Sequence, residues 1–217
     1  LQQLSQKDEL IVSDDRSRDN TLQIVQAVND SRIRIVENPG RKGVVPNFEN
    51  ALNAARGRYV FLSDQDDIWE PEKTSTMLSL LAHYDLVVSD CSLIDENGDV
   101  IHPSYFTLRR SGKGVCKNIF ANTYMGACMA FNRRVLEKAL PFPRNICMHD
   151  WWIGLIGDMF GNTFFYPETL VRYRRHENNL SPPVVNNSFS LYEKLWMRVY
   201  IFFSLTRKWM GKNSLRY

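Results

Sequence analysis

Tyr59, Val60, Phe61, Leu62, Ser63, Asp64, Gln65, Asp66, Asp67, Ile68 and Trp69 carry more structural information than any other stretch of the chain. The apolar opening predicts a short strand from Tyr59 to Leu62, and the strand stops where carboxylates crowd at Asp64, Asp66 and Asp67. Upstream, Asn47 to Ala55 reads as a helix closed by Gly57. Before it stand the turn formers Asn38, Pro39, Gly40 and Gly43 and an alternating strand from Arg32 to Val36. Leu22, Val25 and Val28 recur at three-residue spacing on an earlier helix. Glu9 to Ser13 forms another strand that runs straight into Asp14, Asp15, Arg16, Ser17, Arg18 and Asp19. Strand, helix, strand, helix, strand predicts an α/β domain with a mostly parallel sheet flanked by helices. Ligands of such sheets bind beyond the carboxyl ends of the strands, and both acidic clusters lie there.

Downstream, a helix is predicted from Pro71 to Ala82, a strand from Leu86 to Ser89 and a turn at Glu96, Asn97 and Gly98. Residues 102–128, with Gly112, Gly114 and Gly126 among basic and aromatic residues, read as loops over a site. Short helices follow at 135–139 and 153–160, then a strand at 169–173 that leads into Arg174, Arg175, His176 and Asn179. Residues 191–210 form a long, aromatic, helix-compatible segment, so a domain over 1–190 and a tail over 191–217 are expected. The 217 residues suffice for one domain with a substantial core. No apolar run approaches the ~20 residues of a spanning helix, and mean hydropathy is −0.34. A net charge of +3 does not announce a nucleic-acid binder. That charge is uneven: the tail carries six basic residues against Glu193, which leaves 1–190 at −2. Cys91, Cys116, Cys128 and Cys147 form no Cys-x-x-Cys pair, so buried free thiols of a reducing cytosol are expected rather than a zinc site or disulfides.

Asp64, Asp66 and Asp67 repel one another, and a fold seldom keeps such a group without a cation. Asp64 and Asp66 project to one side of an extended backbone. Hard oxygen donors of this kind suit Mg2+ or Mn2+, which bind carboxylates together with substrate phosphates. An acidic turn capping the helix near Pro71 is the plain structural alternative. At the first cluster, a carboxylate can accept hydrogens from a nucleotide base or from ribose hydroxyls, while Ser17 or Asp19 can cap the following helix. Asp150 stands between His149 and the indoles of Trp151 and Trp152. That setting can desolvate the carboxylate and raise its pKa, with the indoles free to stack on sugars. Its alternative is an N-cap at Asp150 with both tryptophans in the core. Arg174, Arg175, His176 and Asn179 suit phosphate oxygens, a metal or a solvated turn. Arg41 and Lys42 lie where they can approach a diphosphate.

Taken together, the strand followed by Asp14 to Thr21, then Asn38 to Gly40, then Tyr59 to Asp67 resembles family two of the inverting glycosyltransferases with the GT-A fold. The resemblance continues through Gly126 to Phe131, His149 to Trp152 and Tyr173 to Asn179. It is strongest to bacterial enzymes that build O-antigen, capsular or other surface polysaccharides. The resemblance implies a Rossmann-like sheet and transfer of a sugar, with inversion, from a nucleotide-diphosphate-sugar to a hydroxyl of a glycan or lipid-linked acceptor. Asp14, Asp15, Asp64 and Lys42 would then bind the nucleotide-sugar. Asp66 and His176 would bind Mg2+ or Mn2+, Asp150 would be the general base, and Trp151 and Trp152 would face the acceptor. It also implies an opening strand before Leu1 that these residues lack, so neighbouring strand edges are expected to stand unpaired, with the activity of the truncated domain in question. Basic and aromatic residues interleaved over 191–217 suit an interfacial helix, which implies a cytoplasmic protein held peripherally at the inner membrane face; a helix packed on the domain is the alternative. Two other function classes stand beside transfer: an inert sugar-nucleotide or glycan-binding relative, and a metal-dependent nucleotidyltransferase. Against the latter, no glycine-rich loop followed by Lys or Arg opens the chain.

Overall fold

The computed structural model describes residues 1–175 and 190–211. Strand β1 (Leu10–Asp14), helix α1 (Thr21–Ala27) and strand β2 (Ile33–Glu37) form a βαβ unit in which Leu10 pairs in parallel with Ile33 and Asp14 with Glu37. Helix α2 (Val44–Ala54) begins three residues before the expected start at Asn47. Pro46 falls in its first turn, where a backbone N–H has no helical partner to lose. Asn47 fastens α2 to β1, donating from Nδ2 to the Ser13 carbonyl at 2.8 Å and accepting from the Ser13 hydroxyl at 2.7 Å.

The chain then builds a six-stranded sheet. Its elements are β3 (Tyr59–Phe61), β4 (Ile68–Trp69), helix α3 (Lys73–Leu81), β5 (Leu86–Ile94) and β6 (Val100–His102). Helices α4 (Tyr105–Arg109) and α5 (Val115–Phe120) and a 3-10 turn at Gly126–Cys128 lead into β7 (Met129–Asn132). Helices α6 (Arg133–Ala139) and α7 (His149–Phe160), strand β8 (Thr163–Arg174) and helix α8 (Leu191–Trp209) complete the described order. The strand order is β3-β7-β5-β8-β4, with β6 on β5. The expected mostly parallel sheet is mixed: β5–β8 and the separate β1–β2 pair are parallel, whereas β3–β7, β5–β7, β5–β6 and β4–β8 are antiparallel. Two of the antiparallel pairs come from β7, which leaves the 3-10 turn and runs back between β3 and β5. It is short and mostly buried, so it lacks the alternation that marks a strand in sequence.

Residues 102–128 are likewise helices and a turn more than loops. Ser104 caps α4 by accepting the Thr107 N–H at 3.0 Å. Buried Asp90 of β5 accepts the Ser104 hydroxyl at 2.5 Å and the Phe106 N–H at 2.9 Å. That satisfied carboxylate lets β5 continue through Ser89–Ser92 to Ile94, beyond the predicted end at Ser89. Among the described residues β1 pairs only with β2, and β3 only with β7.

The main core lies between this sheet and α6 and α7, and Ile201 and Leu205 of α8 belong to it. The opposite face of α8 exposes Tyr192, Leu195, Trp196, Val199, Phe202, Phe203 and Trp209. All four thiols are free; Cys91 and Cys128 are buried as expected, whereas Cys116 and Cys147 are exposed.

Candidate active site

Asp64, Asp66 and Asp67 occupy the connection from β3 to β4, at the carboxyl end of β3. Burial, helped by the charges of Asp150 and Asp66, raises the Asp64 carboxyl to about 6. Asp67 is raised further, to about 7, by burial and by Asp64 and Asp66, against a hydrogen bond from the Arg174 N–H. That bond is 2.9 Å long to Oδ1, while Oδ2 is buried without a protein partner. The Arg174 guanidinium secures the same loop by donating to the Asp66 carbonyl at 3.1 Å. An orphaned, buried carboxylate oxygen beside further carboxylates fits a hard divalent cation. Among the described residues, however, no three acidic, histidine or cysteine side chains converge as a ligand set. His176, expected as a ligand, lies outside the described residues, as does Asn179.

Asp150 comes from helix α7. It is the second residue of α7, not its N-cap, which is Met148. Its Oδ1 accepts the Trp151 N–H at 2.7 Å, and Oδ2 accepts the Gly126 N–H at 3.1 Å. Burial raises it to about 6 in spite of those bonds. A side chain at position 126 would crowd both neighbours, since a Cβ there lies 3.4 Å from Asp150 Cβ and 3.4 Å from His149 Nε2. His149 stacks on Phe48 at 3.8 Å, and burial lowers its pKa to about 3, so the ring is neutral. The expected acceptor role of Trp151 and Trp152 does not hold. They are 6% and 1% exposed, and their indole N–H groups are spent on the Asn118 and Ala139 carbonyls. The periodicity of α7 turns both rings into the core.

At the end of β1, buried Asp14 accepts the backbone N–H groups of Arg16 and Ser17, which fixes a tight turn with Arg16 at φ 65°. Asp15 joins two loops, accepting Asn38 Nδ2 and the Gly43 N–H, each at 2.8 Å. The Gly43 bond is the main cause that holds Asp15 below the usual carboxylate range, with the Lys42 charge assisting. Lys42 itself is exposed. Neither Ser17 nor Asp19 is the N-cap of α1, which is Asn20; Asp19 instead accepts from Thr21. A cavity of about 460 Å3 beside this loop, lined by Asn38, Arg41, Glu49 and Arg144, does not reach Asp64 or Asp150.

Sequence reasoning missed Lys73. A lysine opening an amphipathic helix reads as a surface residue, yet Lys73 is 0% exposed, with Nζ 2.6 Å from the Ala127 carbonyl and 3.7 Å from the centre of the Trp69 ring.

A family model described as glycosyl transferase family 2 matches residues 1–140, more than half the chain. The chain is 25% identical over 195 residues to the Escherichia coli UDP-Glc:alpha-D-GlcNAc-diphosphoundecaprenol beta-1,3-glucosyltransferase WfgD, covering 87% of this chain and 72% of that protein. Among solved structures, S. aureus TarS 1-349 in complex with UDP-GlcNAc superimposes with a TM-score of 0.65 at 17% identity, over 90% of this chain and 57% of that one. The mannosyltransferase PcManGT from Pyrobaculum calidifontis, in complex with GDP-Man and Mn2+, gives 0.54 at 21% identity, over 92% of this chain and 55% of that one. The chain therefore spans little more than half the length of these solved relatives.

Proposed function

The chain belongs to glycosyl transferase family 2, and on that premise we propose that it transfers a sugar from a nucleotide-diphosphate-sugar to a hydroxyl of a glycan or lipid-linked acceptor, with inversion. The observation that carries this reading is that buried Asp150 holds the Gly126 N–H with Oδ2, in the 3-10 turn whose Ala127 carbonyl accepts Lys73 Nζ beside the Trp69 ring at the end of the acidic loop. Inverting displacement needs a base on one side of the anomeric carbon and a held diphosphate on the other. Asp150, raised to about 6, is ionised at neutral pH and still basic enough to take the acceptor hydroxyl proton. The Gly126 N–H holds its Oδ2, and neutral His149 adds no charge that would weaken the base.

Asp14, Asp15 and Lys42 mark the nucleotide end. There the bonds from Asp15 to Asn38 and Gly43 keep the two loops in register. Asp64 is the donor-binding residue beside Asp66, and Asp66, with His176 as a further candidate, would hold Mg2+ or Mn2+. Such an ion, when bound, offsets charge that develops on a departing nucleoside diphosphate. WfgD acts on a diphosphoundecaprenol acceptor, and a similar lipid-linked saccharide in polysaccharide synthesis suits this chain. No helix of the described residues is long and apolar enough to cross a membrane. The exposed aromatic face of α8, with basic residues on 191–217, suits peripheral attachment at the inner membrane face. In this reading 1–190 is the transfer domain, and α8 is both docked on it and turned toward lipid.

The test is a thermal-shift screen of nucleotide-sugars with Mn2+ present and absent, followed by turnover of any stabilising donor. A donor that raises the melting temperature only with Mn2+ and is turned over by the parent chain, but not by Asp150→Asn, is the expected result. Stabilisation without turnover in any full chain would instead identify an inert binder.

A further inference from the structure

Asn118 sets how helix α5 is turned on the domain. It is buried, its Nδ2 donates to the Gly112 and Gly114 carbonyls at 2.9 and 3.1 Å, and its Oδ1 accepts the Thr123 N–H and hydroxyl. Its carbonyl accepts the Trp151 indole at 2.7 Å. With Asn118 and Ile119 turned inward, Phe120 is turned out and stands 71% exposed at the end of the helix. A lone exposed ring would need no account, but this one belongs to a larger apolar surface. Arg198 of α8 donates to the Phe120 carbonyl from Nη2 at 2.7 Å and from Nε at 3.3 Å. Leu191, Leu195, Arg198 and Phe202 follow one another at helical steps of four, three and four residues, so they share one ridge of α8. The three apolar members of that ridge are exposed, and the Arg198 bonds bring the end of α5 against it.

Charge indicates what covers this surface. From Tyr105 to Ala121 the chain carries Arg109, Arg110, Lys113 and Lys117 and no acidic residue, and all but Arg109 are exposed. On α8 the lone acid, Glu193, is spent on the Ser190 cap, against Lys194, Arg198, Arg207 and Lys208. An anionic lipid surface answers both features, since headgroups attract the cations and the acyl boundary takes up the phenylalanine and leucine side chains. A nucleic acid would gain nothing from the aliphatic Leu191 and Leu195. We propose that the end of α5 is a second lipid contact, which joins the Leu191–Phe202 ridge of α8 in one surface for anionic membrane. The inference deepens the proposed function, resting on its reading of α8 as a peripheral attachment. Its test uses neither donor nor acceptor, so it can fail while sugar transfer stands.

The full chain is compared with Phe120→Ser and with Lys113→Glu/Lys117→Glu by sedimentation with vesicles of phosphatidylglycerol and phosphatidylcholine, and of phosphatidylcholine alone. Phe120→Ser is expected to weaken binding to the anionic vesicles by about threefold or more. The charge reversal should weaken it by about tenfold or more and abolish the preference over neutral vesicles. Both variants should melt within about 3 °C of the parent, because neither position is buried. If the charge reversal melts lower than that, Lys113→Glu alone carries the comparison. Unchanged binding by both variants, with Trp196→Ser/Phe203→Ser still losing it, would overturn the proposal and leave α8 as the lone attachment. A parent chain that ignores anionic vesicles would overturn it together with the peripheral reading. If Phe120→Ser instead converts a dimer to a monomer in vesicle-free analytical ultracentrifugation, the surface serves a second copy of the chain and the proposal falls.

Discussion

Burial lifts the Asp150 carboxyl to about 6, while the N–H groups of Trp151 and Gly126 pull it down. A general base acts in its ionised form, so activity is present above that value and is lost as pH falls through it. Initial rates from pH 5 to 8 should show kcat/KM rising about tenfold per unit on the acid side and levelling off above about 6. Asp150→Asn should lose about a thousandfold or more and flatten that limb; an acid limb that survives the substitution would place the base elsewhere. A purely structural consequence follows at Gly154, where a Cβ would lie 2.4 Å from the Tyr124 ring. Gly154→Ala is expected to cost about 2–4 kcal/mol in urea unfolding, and a loss below about 0.5 kcal/mol would mean that the ring yields freely. The carboxylates were legible in sequence because charges at strand ends interrupt an apolar pattern. Lys73 and the two core tryptophans were not, because which face of α3 or α7 turns inward is decided by the sheet they pack on.

Helix α8 is the element whose two faces make opposite demands. Ile201 and Leu205 are buried in the main core, and Arg198 and Lys208 reach the carbonyls of Phe120 and Leu140. Trp196 and Phe203 point away, 54% and 60% exposed. Deleting the helix would therefore disturb the core as well as any lipid contact, and substitutions on one face separate the two effects. Trp196→Ser with Phe203→Ser should weaken sedimentation with phosphatidylglycerol vesicles by about tenfold or more, with the melting temperature moved by no more than about 2 °C. Unchanged vesicle binding would remove α8 from the membrane. This helix was legible from its length, its interleaved aromatic residues and its charge. By contrast, β7 and the extension of β5 were hidden, since a strand buried on both faces shows no period of two and the polar residues of Ser89–Ser92 interrupt the apolar run.

Across the whole molecule, the division into two sheets governs where stability resides. Strand β5 is buried at every residue and hydrogen-bonded on both sides, whereas β1 is half-buried from Leu10 to Ser13 and, among the described residues, pairs with β2 alone. What fastens the β1–β2 unit is mostly polar. Ser13 bonds to Asn47, Asp15 links to Asn38 and Gly43, and a half-exposed ion pair joins Arg34 to Glu9 at 3.1 Å. Such a pair adds about 1 kcal/mol or less, and the described residues of α1 bury none of their side chains. Native-state hydrogen exchange should thus open β1 and β2 at a free energy about 2 kcal/mol or more below that of β5 and β8. The nucleotide end of the proposed site lies on this weaker unit, at Asp14 and Asp15. Binding of a donor nucleotide should therefore raise protection in β1 and β2 far more than in β5. Equal protection of the two sheets in the free chain would show that polar ties hold the βαβ unit as firmly as the core. Protection that rises only around β5 on adding the nucleotide would move the donor away from Asp15.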